Sequence, residues 1–177
     1  RSLLAAGRSR LGKEGWRTDY DLAFELALQH AECTFLSGDI AGTEELISTI
    51  LPLARTKAHK AAIYRLRVEL YVVQSRNEVG VECGLEALRI YGIDFHPHPS
   101  WETVQTEFDR LERKLDGQGF ATLGNLPPMT DPDLLALMPL MAELLPPAFF
   151  TDFNLTVLIT CRMANLNLEY GRSIFQG

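Results

Sequence analysis

The sequence predicts an all-α fold, an α-solenoid built from antiparallel helix pairs. Three observations predict it. Apolar residues recur at helical spacing along most of the 177 residues, a paired-helix unit returns after about 37 positions, and the breaks between apolar stripes are short polar turns. No strand survives this reading.

The elements follow in order. Phe24, Leu28, Ala31 and Phe35 form an i, i+4, i+7, i+11 stripe that Leu22 and Leu26 widen, which predicts a helix from about Asp19 to Ser37. Ser37 to Asp39, "SGD", breaks it. A second run with Leu46, Ile47, Ile50 and Leu51 ends at Pro52, and the pair makes a first repeat over about 19–54. A helix through Ile63, Leu66, Val68, Leu70 and Tyr71, a turn at "QSRN" and a helix to Tyr91 ended by Gly92 make a second, over about 57–92. "HPHPS" (His96 to Ser100) then forbids helix, and Ser100 is a good cap for a helix over about 100–116. "GQGFATLGNLPPMTDP" is the longest irregular stretch. Asp131 caps and Pro132 opens a helix over about 131–145, which "LLPPAFF" stops at Pro146; Asp152 caps a last helix over about 152–170. Residues 1–15 read as the end of a preceding helix and a linker, with the array occupying 16–177.

The period lies near the 34 residues of tetratricopeptide repeats, whose small and aromatic positions let paired helices pack closely. Tyr64, Val68, Tyr71, Gly80, Gly84 and Ala87 fall where that pattern wants aromatic, small, aromatic, small, bulky and small residues. Ala31, Gly38, Thr43 and Ile47 match it more weakly in the first repeat. Gly84 departs from the bulky residue expected, and the consensus tryptophan is absent. This tetratricopeptide-like register puts Gly80 where the second helix of a pair crosses the first, against Val68 and Tyr71.

Several function classes are disfavoured. "GRSRLGKEG" (Gly7 to Gly15) has the spacing of a phosphate loop, but Glu14 stands where a Mg²⁺-binding hydroxyl belongs and "RSLLAA" is too short for the preceding strand. A net charge of −6 opposes nucleic-acid binding. The longest apolar run, near "LTVLIT" (Leu155 to Thr160), is far short of the roughly 20 residues of a membrane helix. The chain starts at Arg1 without a leader and reads as a piece of something longer. Cys33, Cys83 and Cys161 are isolated thiols in apolar helices, so neither disulfide nor zinc is expected and a reducing, cytoplasmic compartment is. His96 and His98 lack the third and fourth ligands of a metal site. "TDFN" (Thr151 to Asn154) is a helix cap, not a kinase motif. No catalytic, cofactor or metal residues are expected. The most suggestive cluster is Arg55, Lys57, His59, Lys60, Arg65 and Arg67, six basic or titratable groups in an acidic chain, which are the candidate partner-binding residues; Arg55 and Lys57 suit a helix C-terminus.

"WRTDYDLAFELALQHAECTFLSGD", "RLRVELYVVQSR", "GLEALRIYGIDF", "LPPMTDP", "LLPPAFF" and "RMANLNLEYG" together resemble the helical region of large bacterial multidomain signalling proteins. In these, a protein-kinase-like domain and a P-loop ATPase module lead into such repeats, and GAF or PAS sensors and a histidine kinase follow. The resemblance runs from about Trp16 to Gly171 and carries over no catalytic residue. It implies a non-catalytic scaffold or relay that binds a protein or a neighbouring domain of the same polypeptide, not nucleic acid, membrane or cofactor. The rival is a small-molecule sensor or enzyme, with a pocket between the 117–130 loop and Phe149, Phe150 and Phe153.

Overall fold

The computed structural model describes residues 14–115 and 126–173. A helical turn at 14–18 precedes α1 (Tyr20–Leu36), α2 (Ile40–Ile50), a 3₁₀ turn (Leu51–Leu53), α3 (Lys57–Val73), α4 (Asn77–Arg89), α5 (Trp101–Leu115), α6 (Pro132–Thr151) and α7 (Phe153–Tyr170). Gly7 to Lys13 and most of the 117–130 loop lie outside the described residues, while Glu14 and Gly15 already belong to the helical turn.

The turns of the first two hairpins repeat each other. α1 and α3 are both 17 residues long and begin 37 positions apart, at Tyr20 and Lys57. Each ends in a left-handed residue, Gly38 at φ 78° and Ser75 at φ 59°. In both turns the amide three places past the helix reaches back five residues, Asp39 N–H to Thr34 O at 3.2 Å and Arg76 N–H to Tyr71 O at 2.9 Å. This is the 6→1 bond that closes a helix whose last carbonyls would otherwise be orphaned. α4 closes alike, with Gly92 at φ 77° and Ile93 N–H on Leu88 O at 3.1 Å.

α3 is the shared wall of two cores. Ile63, Leu66 and Leu70 pack with Phe24, Ala27, Ala31, Ile47 and Ile50 of the first hairpin. Its opposite face sends Ala61, Tyr64, Val68 and Tyr71 into a larger core with α4, α6 and α7. There α6 lies across both α3 and α4 and supplies Leu137, Leu140, Met141 and Leu144, all buried. α6 and α7 form a third hairpin on the single hinge residue Asp152, whose carboxylate accepts the Leu155 N–H at 3.0 Å. α5 stands apart and packs on α7.

Three expectations need correction. The helix from Pro132 does not stop at Pro146; it runs on to Thr151 through Pro139, Pro146 and Pro147. A proline inside a helix costs roughly 3 kcal/mol because it removes a donor and crowds the preceding turn. Burial of Leu144, Pro147 and Ala148 on the core side outweighs that cost. The same helix holds an 18-residue window of mean hydropathy 1.6 and is long and apolar enough to cross a membrane, with 39% of that window buried inside the fold. An isolated parallel bridge also pairs Pro128 with Arg172. It depends on Gly171 at φ 100°, where a Cβ would stand 2.6 Å from the Pro127 carbonyl oxygen. Finally, Gly80 does lie against Tyr71, but the tighter contact on α4 is at Gly84. A Cβ at Gly80 would sit 3.6 Å from Tyr71 and from Pro147, which is ordinary contact, whereas at Gly84 it would overlap the Leu144 methyl. Gly84 replaces the bulky residue of the repeat because α6 fills that space.

Candidate interaction surface

The six basic residues are split among different environments. Arg55 and His59 join α1 to the start of α3. The Arg55 guanidinium lies 4.0 Å from the centre of the Tyr20 ring and donates to Trp16 O at 2.9 Å. His59 stacks on Phe24, with ring centres 3.9 Å apart, and its Nδ1 is 2.8 Å from Tyr20 Oη. Tyr20 Oη also accepts the Arg55 N–H at 2.9 Å, so this one hydroxyl ties the α3 entry to the His59 ring. Burial holds the His59 pKa below 6.5, against the pull of Asp21 and Glu25.

Lys57 is the first residue of α3, not the end of a helix, so the macrodipole disfavours it. Its ammonium lies 5.7 Å from the Tyr91 ring centre. Lys60 and Arg67, seven residues apart, share one edge of α3, where Arg67 rests on Tyr71 at 5.8 Å. Arg65 is two residues from Arg67 and so projects about 200° away, on the opposite edge.

That opposite edge assembles a surface the sequence reading missed. Arg65 and Glu69 of α3 face Glu32 of α1 and Glu143 of α6. Glu32 has its pKa raised, by burial first and by Glu25 and Glu69, with Arg65 opposing. Glu143 is raised in the same way, by burial and then Glu69, again against Arg65. Exposed Arg65 thus acts electrostatically on half-buried carboxylates of two other helices. Glu32 and Glu69 occupy the same place in successive repeats, 37 positions apart, so the repeat itself was the available signal.

The other residues singled out have local roles. His98 Nδ1 pairs with Asp152 at 3.0 Å and His96 Nδ1 accepts the His98 N–H at 3.0 Å, so the two rings latch their loop to the α6–α7 hinge. An open hollow of about 390 Å³ lies beside them, lined by Phe95, Ser100, Thr103 and Leu158. Phe149, Phe150 and Phe153 are 62%, 72% and 65% exposed, and most of the 117–130 loop expected to face them lies outside the described residues. Burial raises the Cys83 thiol to about 12, which leaves it inert.

No protein-family model and no solved structure matches the chain. Among curated proteins it is 21% identical over 194 aligned positions to hybrid signal transduction histidine kinase G of Dictyostelium discoideum. The alignment covers 96% of this chain and 6% of that protein. The similarity gives the chain a signal-transduction context. It reaches a eukaryotic protein, so the resemblance is not confined to bacterial ones.

Proposed function

We propose that the chain is a non-catalytic, tetratricopeptide-like scaffold of a larger signal-transduction protein. It relays between modules by binding a protein or neighbouring domain along the face shared by α1, α3 and α6. The feature that supports this reading is electrostatic: Arg65 and Glu69 of α3 act on both Glu32 of α1 and Glu143 of α6, and none of the four belongs to either core. Stacking α1/α2, α3/α4 and α6/α7, with α5 as an insertion, makes an extended surface of this kind. The alignment with a hybrid histidine kinase over nearly the whole chain supports the context. Of the six basic residues, Arg65 is the principal contact, Lys60 and Arg67 serve the opposite edge, and Arg55, Lys57 and His59 act by holding α1 and α4 against α3. The relay is a shift of population between docked and undocked arrangements.

Calorimetric titration of the chain with the domains that flank it in its own polypeptide tests this. Arg65→Glu should weaken association about tenfold with an unchanged circular dichroism spectrum. Binding indifferent to both Arg65→Glu and Glu69→Lys, or salt-sensitive binding of duplex DNA by the unaltered chain, would overturn it.

A further inference from the structure

The chain has 23 aspartates and glutamates against 17 lysines and arginines, so an internal partner is at hand for most cations. Several take one: Arg89 pairs with Asp94 at 2.9 Å, Lys114 with Glu169 at 2.7 Å and Arg162 with Glu107 at 3.5 Å. Lys60 and Arg67, on the edge of α3 opposite Arg65, and Arg76, in the turn that follows α3, pair with no carboxylate among the described residues.

Two of these three are nevertheless drawn to one ring. The Arg67 and Arg76 guanidiniums lie 5.8 Å and 4.8 Å from the centre of the Tyr71 ring, which is itself buried. Arg67 is half-buried, and its Nε is enclosed with no hydrogen-bond partner among the described residues. Burial works against its charge, and the groups that favour it are Tyr71, Cys83 and Tyr64, none of them a carboxylate. A ring face attracts each cation, but two like charges on one ring repel, and a guanidinium taken out of water is ordinarily paired. A carboxylate seated between the two would relieve the repulsion, offset the desolvation and accept from the open Nε, because the guanidinium fork suits carboxylate oxygens.

The surroundings select the carrier of that carboxylate. Lys60 lies seven residues before Arg67, which extends the positive edge by two helical turns, about 10 Å along the axis. Glu78, Glu82 and Glu86 are exposed at four-residue steps on α4, and Glu86 accepts the Tyr64 hydroxyl beside this edge at 2.9 Å. A continuous phosphate backbone would meet that acidic row. A helix lying along α3 with a single acidic stripe, its residues seven apart spaced as Lys60 and Arg67 are, meets the cations alone.

We infer that the edge of α3 bearing Lys60 and Arg67, with Arg76 beyond it, docks an acidic helical segment of a protein partner, one carboxylate of which bridges the Arg67 and Arg76 guanidiniums over Tyr71. This names the partner chemistry of the edge assigned above to Lys60 and Arg67 and rests on that assignment, while the Arg65 face is tested separately.

The test uses the whole chain and labelled helical peptides of about 18 residues, read by fluorescence anisotropy. One carries glutamates at i, i+3 and i+7 along one face of an otherwise uncharged helix, and its control carries glutamines there. The glutamate peptide should bind at least about tenfold more tightly than the control. Arg67→Gln and Arg76→Gln should each erase that margin, whereas Arg89→Gln, which removes an arginine already paired with Asp94, and Arg65→Glu should leave it intact. Arg76 is exposed, so its variant keeps the test decisive if Arg67→Gln disturbs folding. Equal binding of the glutamine peptide, indifference to both Arg67→Gln and Arg76→Gln, or an equal loss in Arg89→Gln overturns the proposal, the last because net charge alone then explains the binding. Tighter binding of duplex DNA through the same two arginines overturns it as well. If these peptides show no margin while association with the flanking domains still depends on Arg65, this edge fails and the Arg65 face stands; a margin with domain binding indifferent to Arg65 gives the reverse.

Discussion

α6 and α5 are each laid against a helical hairpin, and different chemistry holds them there. α6 meets α3 and α4 mainly through apolar side chains, so closely that a methyl group at Gly84 would have to displace the Leu144 side chain. α5 meets α7 through a small apolar cluster, Leu111, Leu115 and Cys161, framed by polar bonds. Asn165 Nδ2 donates to Glu107 O at 3.0 Å and to Glu107 Oε1 at 2.8 Å, Arg162 lies 3.5 Å from the same carboxylate, and Lys114 reaches Glu169 at 2.7 Å. Volume fixes one seam and hydrogen bonding the other. They should fail under different insults.

The largest effect is expected at the apolar seam. Leu144→Ala should cost about 2 to 5 kcal/mol in urea unfolding, since it empties a fully buried site. The sharper experiment is a double-mutant cycle with Gly84→Ala. Alone, that methyl overlaps Leu144 and should destabilise despite its gain in helix propensity. In the Leu144→Ala background it fills part of the cavity and should stabilise. Additive effects would break the claim that the contact sets the seam.

At the polar seam, Asn165→Ala should cost about 1 to 3 kcal/mol, because it leaves the buried Glu107 groups without their amide donor. Hydrogen exchange should show the loss in α5 while the amides of α3 and α4 stay protected. Uniform loss across all helices would mean that the two seams are one cooperative unit.

Gly80 distinguishes room from crowding on the helix that also carries Gly84. With 3.6 Å to Tyr71 and Pro147, Gly80→Ala fits and should gain up to about 1 kcal/mol of helix propensity, while Gly80→Leu should lose about 1 to 3. Thermal unfolding of both variants measures the signs. A loss for alanine would place the tight crossing at Gly80 after all.

The contrast also explains what was legible. The hairpins α1/α2 and α3/α4 could be read because their turns are local: Gly38, Asp39 and the stripe of Phe24, Leu28 and Ala31 act within one or two turns of themselves. The caps Asp131 and Asp152 were legible for the same reason. The run of α6 past Pro146 was not, because what sustains it is contact with α3 and α4 far away in sequence. Nor was the pairing of Glu107 with Asn165, 58 positions apart, where neither residue carries a local sign of the other. The basic cluster was visible as composition, but helical geometry sends Arg65 and Arg67 to opposite edges, and only the fold brings Glu32 and Glu143 to Arg65.

The smallest expected effect lies where α1 meets α3, a joint that mixes both kinds of seam. The His59 ring stacks on Phe24 as an apolar plate, and its Nδ1 hydrogen-bonds Tyr20 Oη as a polar one. Protonation keeps the plate but puts a charge on a half-buried ring whose Nδ1 can then only donate to Tyr20 Oη. Its folded pKa lies below 6.5, so the unfolded chain binds the proton more readily. Stability from this group is therefore complete above the unfolded value and is lost as pH falls from there through the folded value. Glu32 and Glu143, with raised pKa values, act in the opposite sense as they take up protons at lower pH. The difference between wild type and His59→Gln isolates the histidine, since glutamine can still accept from Tyr20 without titrating. Between about pH 7.5 and about pH 5 the wild-type unfolding midpoint should fall relative to that of His59→Gln. Parallel curves would mean that the stack alone holds the joint and that the Tyr20 bond contributes nothing to it.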